Sequence, residues 1–410
     1  TIVKVALSLI LSFENPKAPD KIERPIIQPP VHDADGRINK QKSLESLRFG
    51  LVPNHALEDL TIGYEKIREW VLSRLPGNSN RLSTISEVCG AYGTGKSHMM
   101  ALIRRLAKQH GYVTAHVEIN GKDVSLEDPE ALSAHLWKTV DAKGIETDTP
   151  LLDIYVHAIE RNGRCPAITP RALIDRTQDN FNTIALIKRK GLLDTYSHDY
   201  NALLSCSNEI TASELNQRIC KEPSINRLLD QPKVRKVIGK TVDERPHDFI
   251  ESLVGNAVIC NLAGFKGLVI TIDEFEIQRL GTKLDRVAAV IRHLMDYLNG
   301  KTGHKEAPLS IFIASVGMDG HLGDKIIDFM IEECAGEFYP LEVLGEDDCI
   351  ELGRRIFDLY RDVYKVQGLY DEAQAKAIYG RINVEEGRVR KFIKYYIGVL
   401  DMKYGPPKRN

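Results

Sequence analysis

The segment GAYGTGKS, Gly90 to Ser97, constrains this chain more than any other. It satisfies the pattern G-x-x-x-x-G-K-[ST] in full, and it lies between a strand-like run, Leu82 to Val88, and the helical stretch HMMALIRRLAKQHG. Strand, glycine-rich turn and helix in that order open a βαβ unit. Gly90, Gly93 and Gly95 let the backbone wrap closely enough for its N–H groups to hold phosphate oxygens, and the helix N-terminus adds positive partial charge. Ala91, Tyr92 and Thr94 complete the cradle, and His98 follows it. Lys96 would reach the β- and γ-phosphates of a nucleoside triphosphate, and Ser97 would ligate Mg²⁺. A second GKT, at Gly300, Lys301 and Thr302, has Met295 where the upstream glycine is required and reads as a loop.

Further runs rich in Val, Ile and Thr predict strands at Tyr112 to Ile119, Leu268 to Ile272, Leu309 to Ala314 and Phe338 to Leu344. They imply a parallel sheet flanked by helices, an α/β fold of the P-loop NTPase type. Two helices are expected before the first strand, closed by Gly50 with Pro53 and by Pro76 with Gly77. Residues 121–266 separate the second strand from the third, far more than the roughly 30 residues of a simple βαβ unit. They read as a large helical insertion, in PEALSAHLWKTV, LLDIYVHAIE, ITPRALIDRTQDNFNTIALIKRK, SELNQRIC and PHDFIESLVGNAVICNLAGF. After Gly345, three helical stretches form a C-terminal unit. The expected organisation is a leader and linker at 1–38, an ATPase core at 39–120 and 267–344, the insertion at 121–266, and a helical lid at 345–410.

The apolar run GLVITIDEFE ends in Asp273 and Glu274, at the carboxyl edge where sites of parallel α/β sheets lie. With a phosphate loop beside it, Asp273 is placed to hold Mg²⁺ and Glu274 to orient or deprotonate an attacking water. Glu276 would join this site or serve as a helix-start carboxylate. Ser315 ends the run SIFIAS and either meets the γ-phosphate or simply closes a strand. Asn120, at the end of HVEIN, either restrains Glu274 or begins the turn at Gly121.

Net charge is −2, so no whole-chain electrostatic argument points to nucleic acid or to an anionic membrane. Charge is nonetheless segregated: residues 161–240 carry a net +6, which leaves −8 for the rest. Lys188, Arg189 and Lys190 form one basic cluster, and Lys233, Arg235, Lys236 and Lys240 a second. They read as a DNA-phosphate surface or as a solvated face. Phe181, Tyr196 and Tyr200 lie between them and read as core aromatics. Seven scattered cysteines without a CxxC pair fit a reducing, cytoplasmic setting. Alternating Val3, Val5, Leu7, Leu9, Leu11 and Phe13 read as an edge strand or an appended leader. No signal-peptide cleavage site follows them, and no apolar run approaches the ~20 residues of a membrane helix.

These residues resemble the AAA+ branch of P-loop ATPases, and more closely the ATP-binding proteins of bacterial BREX phage-defence systems, of the BrxD and BrxC type. The resemblance lies in SLRFGLVP, LTIGYEKI, GAYGTGKSHMMALIRRLAKQHGYVTAHVEING, GLVITIDEFE and GRVRKFIKYYIGVLD, from about residue 43 to 402. It implies ATP and Mg²⁺ as cofactors, adenine contacts at Ile62 and Gly63, and a lid arginine at Arg390, with Arg388 as the fallback. It also implies DNA, other defence-system proteins or further copies of the chain as partners. Tyr64 departs from the arginine usual after LTIG. The stretch FMIEECAGEF has no arginine where ring-forming relatives often carry a finger, so a finger would come from Arg286, Arg354, Arg355 or another protein, and slow turnover is expected. The alternatives are an ATP-dependent switch that recruits partners and hardly turns over, and an adaptor for replication initiation or transposition.

Overall fold

The computed structural model describes residues 36–405 except 79–80, 163–174, 226–231, 240, 276–283, 303–306, 317–330, 335 and 383–386. The expected edge strand at residues 3–13, Glu276 and Lys240 therefore lie outside the described residues. The chain divides into two units, Thr1–Ile38 and Asn39–Asn410, and the second carries the sheet and the phosphate loop.

Two helices, α1 (Arg37–Phe49) and α2 (Tyr64–Arg74), precede β1 (Ser83–Cys89), and α3 (Lys96–Gln109) leads to β2 (Val113–Glu118). Among the described residues, six helices separate β2 from β3 (Leu268–Asp273): α4 (Pro129–Trp137), α5 (Pro150–Asn162), α6 (Asp175–Arg189), α7 (Leu193–Leu204), α8 (Ala212–Cys220) and α9 (Arg245–Leu262). After β3 come α10 (Leu284–Leu298), β4 (Leu309–Ser315) and β5 (Glu337–Pro340), then α11 (Glu346–Tyr364), α12 (Glu372–Gly380) and α13 (Arg388–Tyr404). The five strands form one sheet in the order β2-β3-β4-β1-β5, and every pairing is parallel.

All residues of β3 and β4 are buried, which is why both read as unbroken apolar runs rather than as alternations. On one face, α3 presents Met99, Leu102, Ile103 and Leu106, a helical stripe, to Val88, Val269 and Phe312 of the sheet, with α2 closing the layer through Val71 and Leu75. The opposite face packs against α9 and α10. The helices of 121–266 share that core: Trp137, Tyr155, Phe181 and Tyr200 belong to the same apolar cluster as Ile270 and Ile311. A third cluster joins α11 to α13 with Leu44 and Leu47 of α1.

Three details differ from the sequence reading. The fifth strand is shorter than expected and ends at Pro340, because β1, its one partner among the described residues, turns into the phosphate loop after Cys89. Helix α7 occupies the polar stretch TYSHDY, which carries no obvious apolar stripe; it forms because Tyr196, Tyr200 and Leu204, four residues apart, bury one face. Helix α10 adds a further element, since the parallel step from β3 to β4 requires a crossover. Phe181, Tyr196 and Tyr200 are buried, as core aromatics. Gly300 to Thr302 lie in a turn, and the six described cysteines are free. No helix among the described residues is long and apolar enough to cross a membrane.

Candidate active site

The site forms where β1 and β3 end at the carboxyl edge of the sheet. Between Cys89 and Lys96 the chain makes its glycine turn, with φ at 81° for Gly93 and 105° for Gly95, both in the left-handed region that glycine enters without strain. Gly93 is required for a second reason. A Cβ there would stand 2.7 Å from Cα of Gly387, the residue that begins α13. The C-terminal helices thus meet the loop backbone to backbone, and the Gly387 N–H donates to the Tyr92 carbonyl at 3.4 Å.

Lys96, only 7% exposed, donates to the loop carbonyls of Gly90 at 3.1 Å and Ala91 at 3.4 Å. Thr94 Oγ1 donates to the Ala91 carbonyl at 2.9 Å, which stiffens the turn. Asp273 is 4% exposed, and its Oδ1 accepts the Glu274 N–H at 2.9 Å. Glu274 itself has φ 55°, a conformation costing a non-glycine residue about 1–2 kcal/mol. Burial, then the neighbouring Asp273, raise its pKa above the ordinary carboxylate value, while Lys96 and Arg390 oppose the rise. A half-buried carboxylate held in a strained backbone and made more basic suits proton abstraction.

Thr94, Lys96 and Glu274 open on one cleft of about 200 Å³, whereas Asp273, Gly90 and Ala91 are not among the residues that line it. One end is polar, lined by Gly93 to Ser97, Glu274 and Arg390; the other is apolar, lined by Leu47, Ile62, Leu344, Leu352, Val389 and Ile393. His98 lines it as well. Arg390 lies over the Tyr92 ring at 5.8 Å and donates to its hydroxyl at 3.4 Å. Arg388 instead turns into the C-terminal helices, donating to the Tyr379 hydroxyl at 3.0 Å. Gly63 lies outside the cleft, at the left-handed cap of α2, and lines a separate surface hollow with Glu58 and Arg355. Tyr64, beside it, bonds Glu58.

Other candidates are occupied elsewhere. Ser315 is fully buried, and its hydroxyl donates to Glu87, a buried carboxylate inside β1. Asn120 Oδ1 accepts the N–H groups of Lys122, Asp123 and Val124 at 3.0, 2.8 and 2.9 Å, so its side chain caps a turn. Arg354 and Arg355 both donate to Glu351. In the insertion, Lys188 pairs with Glu160 at 3.1 Å, Arg235 with Asp179 at 2.6 Å and Lys236 with Glu130. Arg189, Lys190 and Lys233 make no ion pair among the described residues. The two clusters are neighbours, since the Lys233 N–H donates to Thr183 of α6 at 3.2 Å.

Sequence reasoning passed over Glu87, although a charged residue at an inward position of STISEVC is a visible anomaly. It also passed over Thr61, which His98 and Arg355 reach from 37 and 294 residues away.

A family model described as "BREX system ATP-binding protein BrxC/D" matches residues 37–314, which span the phosphate loop, the insertion and β3. No curated protein matches the chain.

Proposed function

The chain belongs to the family of BREX system ATP-binding proteins BrxC/D, and on that premise we propose that it is an AAA+-type ATPase that couples its nucleotide state to DNA or to partner proteins in phage defence. ATP binding in a BREX system is the family's own description; hydrolysis and coupling are the proposal. The observation that carries it is the convergence of Lys96, Ser97, Glu274 and Arg390 on one cleft with a polar and an apolar end. The reading takes an ATPase core at 39–120 and 267–344, an insertion at 121–266 and a C-terminal lid at 345–410, with 1–38 as a leader and linker.

In this reading the loop N–H groups hold the phosphate oxygens, and Lys96 exchanges its carbonyl partners for the β- and γ-phosphates. Glu274 takes the proton of the attacking water. Arg390 leaves Tyr92 for the γ-phosphate, so lid position reports which nucleotide is bound. Ser97 and Asp273 offer the hard oxygen donors that Mg²⁺ prefers, and a buried aspartate at the strand end fits a cation. The ion, when bound, neutralises phosphate charge. Arg189, Lys190 and Lys233 supply the DNA-facing charge. The base contact falls to Ile62 rather than Gly63, and the site has no role for the Ser315 hydroxyl while Glu87 holds it.

A slow switch is the second reading, favoured by the positions of Arg354 and Arg355, both committed to Glu351 within the chain's own C-terminal helices. A finger then comes from another copy or another protein, and such a finger is worth about 10³-fold or more in rate. ATP turnover measured with and without duplex DNA separates the two. The ATPase reading predicts a low basal rate that DNA raises; bound ATP that remains intact under both conditions supports the switch.

A further inference from the structure

The apolar end of the cleft is bordered by the short strip Asp59–Ile62, which belongs to no helix or strand. Two distant elements grip this strip. From the phosphate-loop helix, His98 Nε2 lies 2.8 Å from Thr61 Oγ1. From α11, one guanidinium nitrogen of Arg355 donates to the carbonyls of Asp59 at 3.0 Å and Thr61 at 2.9 Å, while its Nε is fixed on Glu351 at 2.8 Å. The proton positions follow from the inventory of donors. The single hydroxyl proton of Thr61 goes to the Leu57 carbonyl at 2.6 Å, so Thr61 Oγ1 accepts and His98 Nε2 carries the hydrogen.

We propose that His98 and Arg355 are positioning residues for nucleotide-base recognition: together they clamp the strip Asp59–Ile62 so that Ile62 faces the base while the phosphate loop holds the triphosphate. The clamp rests on the reading of the cleft as the ATP site. The clamp also gives the cleft an internal logic. His98 directly follows Ser97, so the helix that orders the phosphate loop orders the base wall too. Arg355 gives the same wall a connection to the C-terminal helices. A strip held from only one side can shift, and a misplacement of about 1 Å in a positioned group is enough to cost binding geometry.

In this reading the triphosphate lies on the loop and not on the strip, and this separates a clamp from a merely structural histidine. Titrations with Mg·ATP and with Mg·tripolyphosphate, which has no base, compare the wild type with His98→Phe, His98→Gln and Arg355→Met. His98→Phe keeps an aromatic side chain but removes the donor, and it is expected to weaken ATP by about tenfold while leaving tripolyphosphate within about twofold. His98→Gln restores a neutral donor and recovers most of the ATP affinity. Arg355→Met, at a half-buried position on the other side, shows the same selective loss. Combining Thr61→Val with His98→Phe gives a less-than-additive loss, because both changes remove the His98–Thr61 bond and Thr61→Val adds only the loss of the bond to Leu57. Equal losses for ATP and tripolyphosphate, no loss for ATP, or a glutamine variant as weak as phenylalanine would each overturn the clamp while leaving the site intact. Wild-type protein that binds neither ligand would overturn the reading of the cleft and the clamp with it.

Discussion

The phosphate loop and the basic face of the insertion both gather cations, and they hold them in different ways. Lys96 donates to carbonyl oxygens of its own loop and lies close enough to Glu274 to oppose the rise of its pKa. Glu274 beside it is kept in a left-handed backbone with a raised pKa. In the insertion, Lys188, Arg235 and Lys236 each meet a carboxylate, and Arg176 meets the buried Asp248. Groups held in strain with exchangeable partners belong to a site; groups already neutralised belong to packing and solubility. The more exposed pair of Lys188 with Glu160 adds only about 0–1 kcal/mol, whereas Asp248 and Glu130 are largely buried and tie their cations to the packed insertion. The cations of the insertion without an ion pair among the described residues include Arg189, Lys190 and Lys233, and these three are the proposed DNA contacts.

The sharpest way to break this contrast is at Glu274. Glu274→Gln should lower turnover by about 10²- to 10³-fold with ATP affinity retained, since the amide still holds a water but cannot accept its proton. The pH profile carries the same information. With its pKa raised, Glu274 loses its charge at a higher pH than an ordinary carboxylate, so the acid limb of kcat/KM should lie above the usual carboxylate range. Unchanged turnover would move the base elsewhere.

The second effect tests the insertion. Changing Arg189, Lys190 and Lys233 together to Ala should weaken duplex DNA binding by about 10²-fold and lower the salt slope by about 0.9 for each phosphate no longer neutralised. Changing the paired Lys188, Arg235 and Lys236 should do much less. Fluorescence anisotropy across a salt series measures both, and equal effects of the two triples would erase the distinction.

The smallest concerns Arg390. Arg390→Ala should slow hydrolysis by about tenfold and weaken ATP more than ADP, because its proposed target is the γ-phosphate. Arg390 also holds the Glu274 pKa down, so its removal should shift the acid limb upward. Equal losses for the two nucleotides would return Arg390 to a purely structural role over Tyr92.

The sequence made the phosphate loop, β3 with its two acids and the C-terminal helices legible, because each is local: a glycine pattern, an apolar run, a helical stripe. What it hid depends on contacts across long separations. The hydroxyl of Ser315 looks available in its own strand, yet Glu87, in another strand, takes it. Ion pairs such as Lys188 with Glu160 cannot be read from charge counts, and a net +6 gives no sign of which cations remain. Helix α7 is obscured by its polar residues, and its buried side appears only against the neighbouring helices. The grip on Thr61 joins three segments that no local pattern connects.

The central claim, that the cleft between the phosphate loop and α13 is the ATP site, is tested most directly by isothermal titration of Mg·ATP into wild-type protein and Lys96→Ala. The wild type should bind one nucleotide per chain, and the variant, without the side-chain cation of the loop, should lose about 10²-fold or more in affinity while remaining folded. Wild-type affinity in Lys96→Ala would contradict the assignment and place the nucleotide elsewhere.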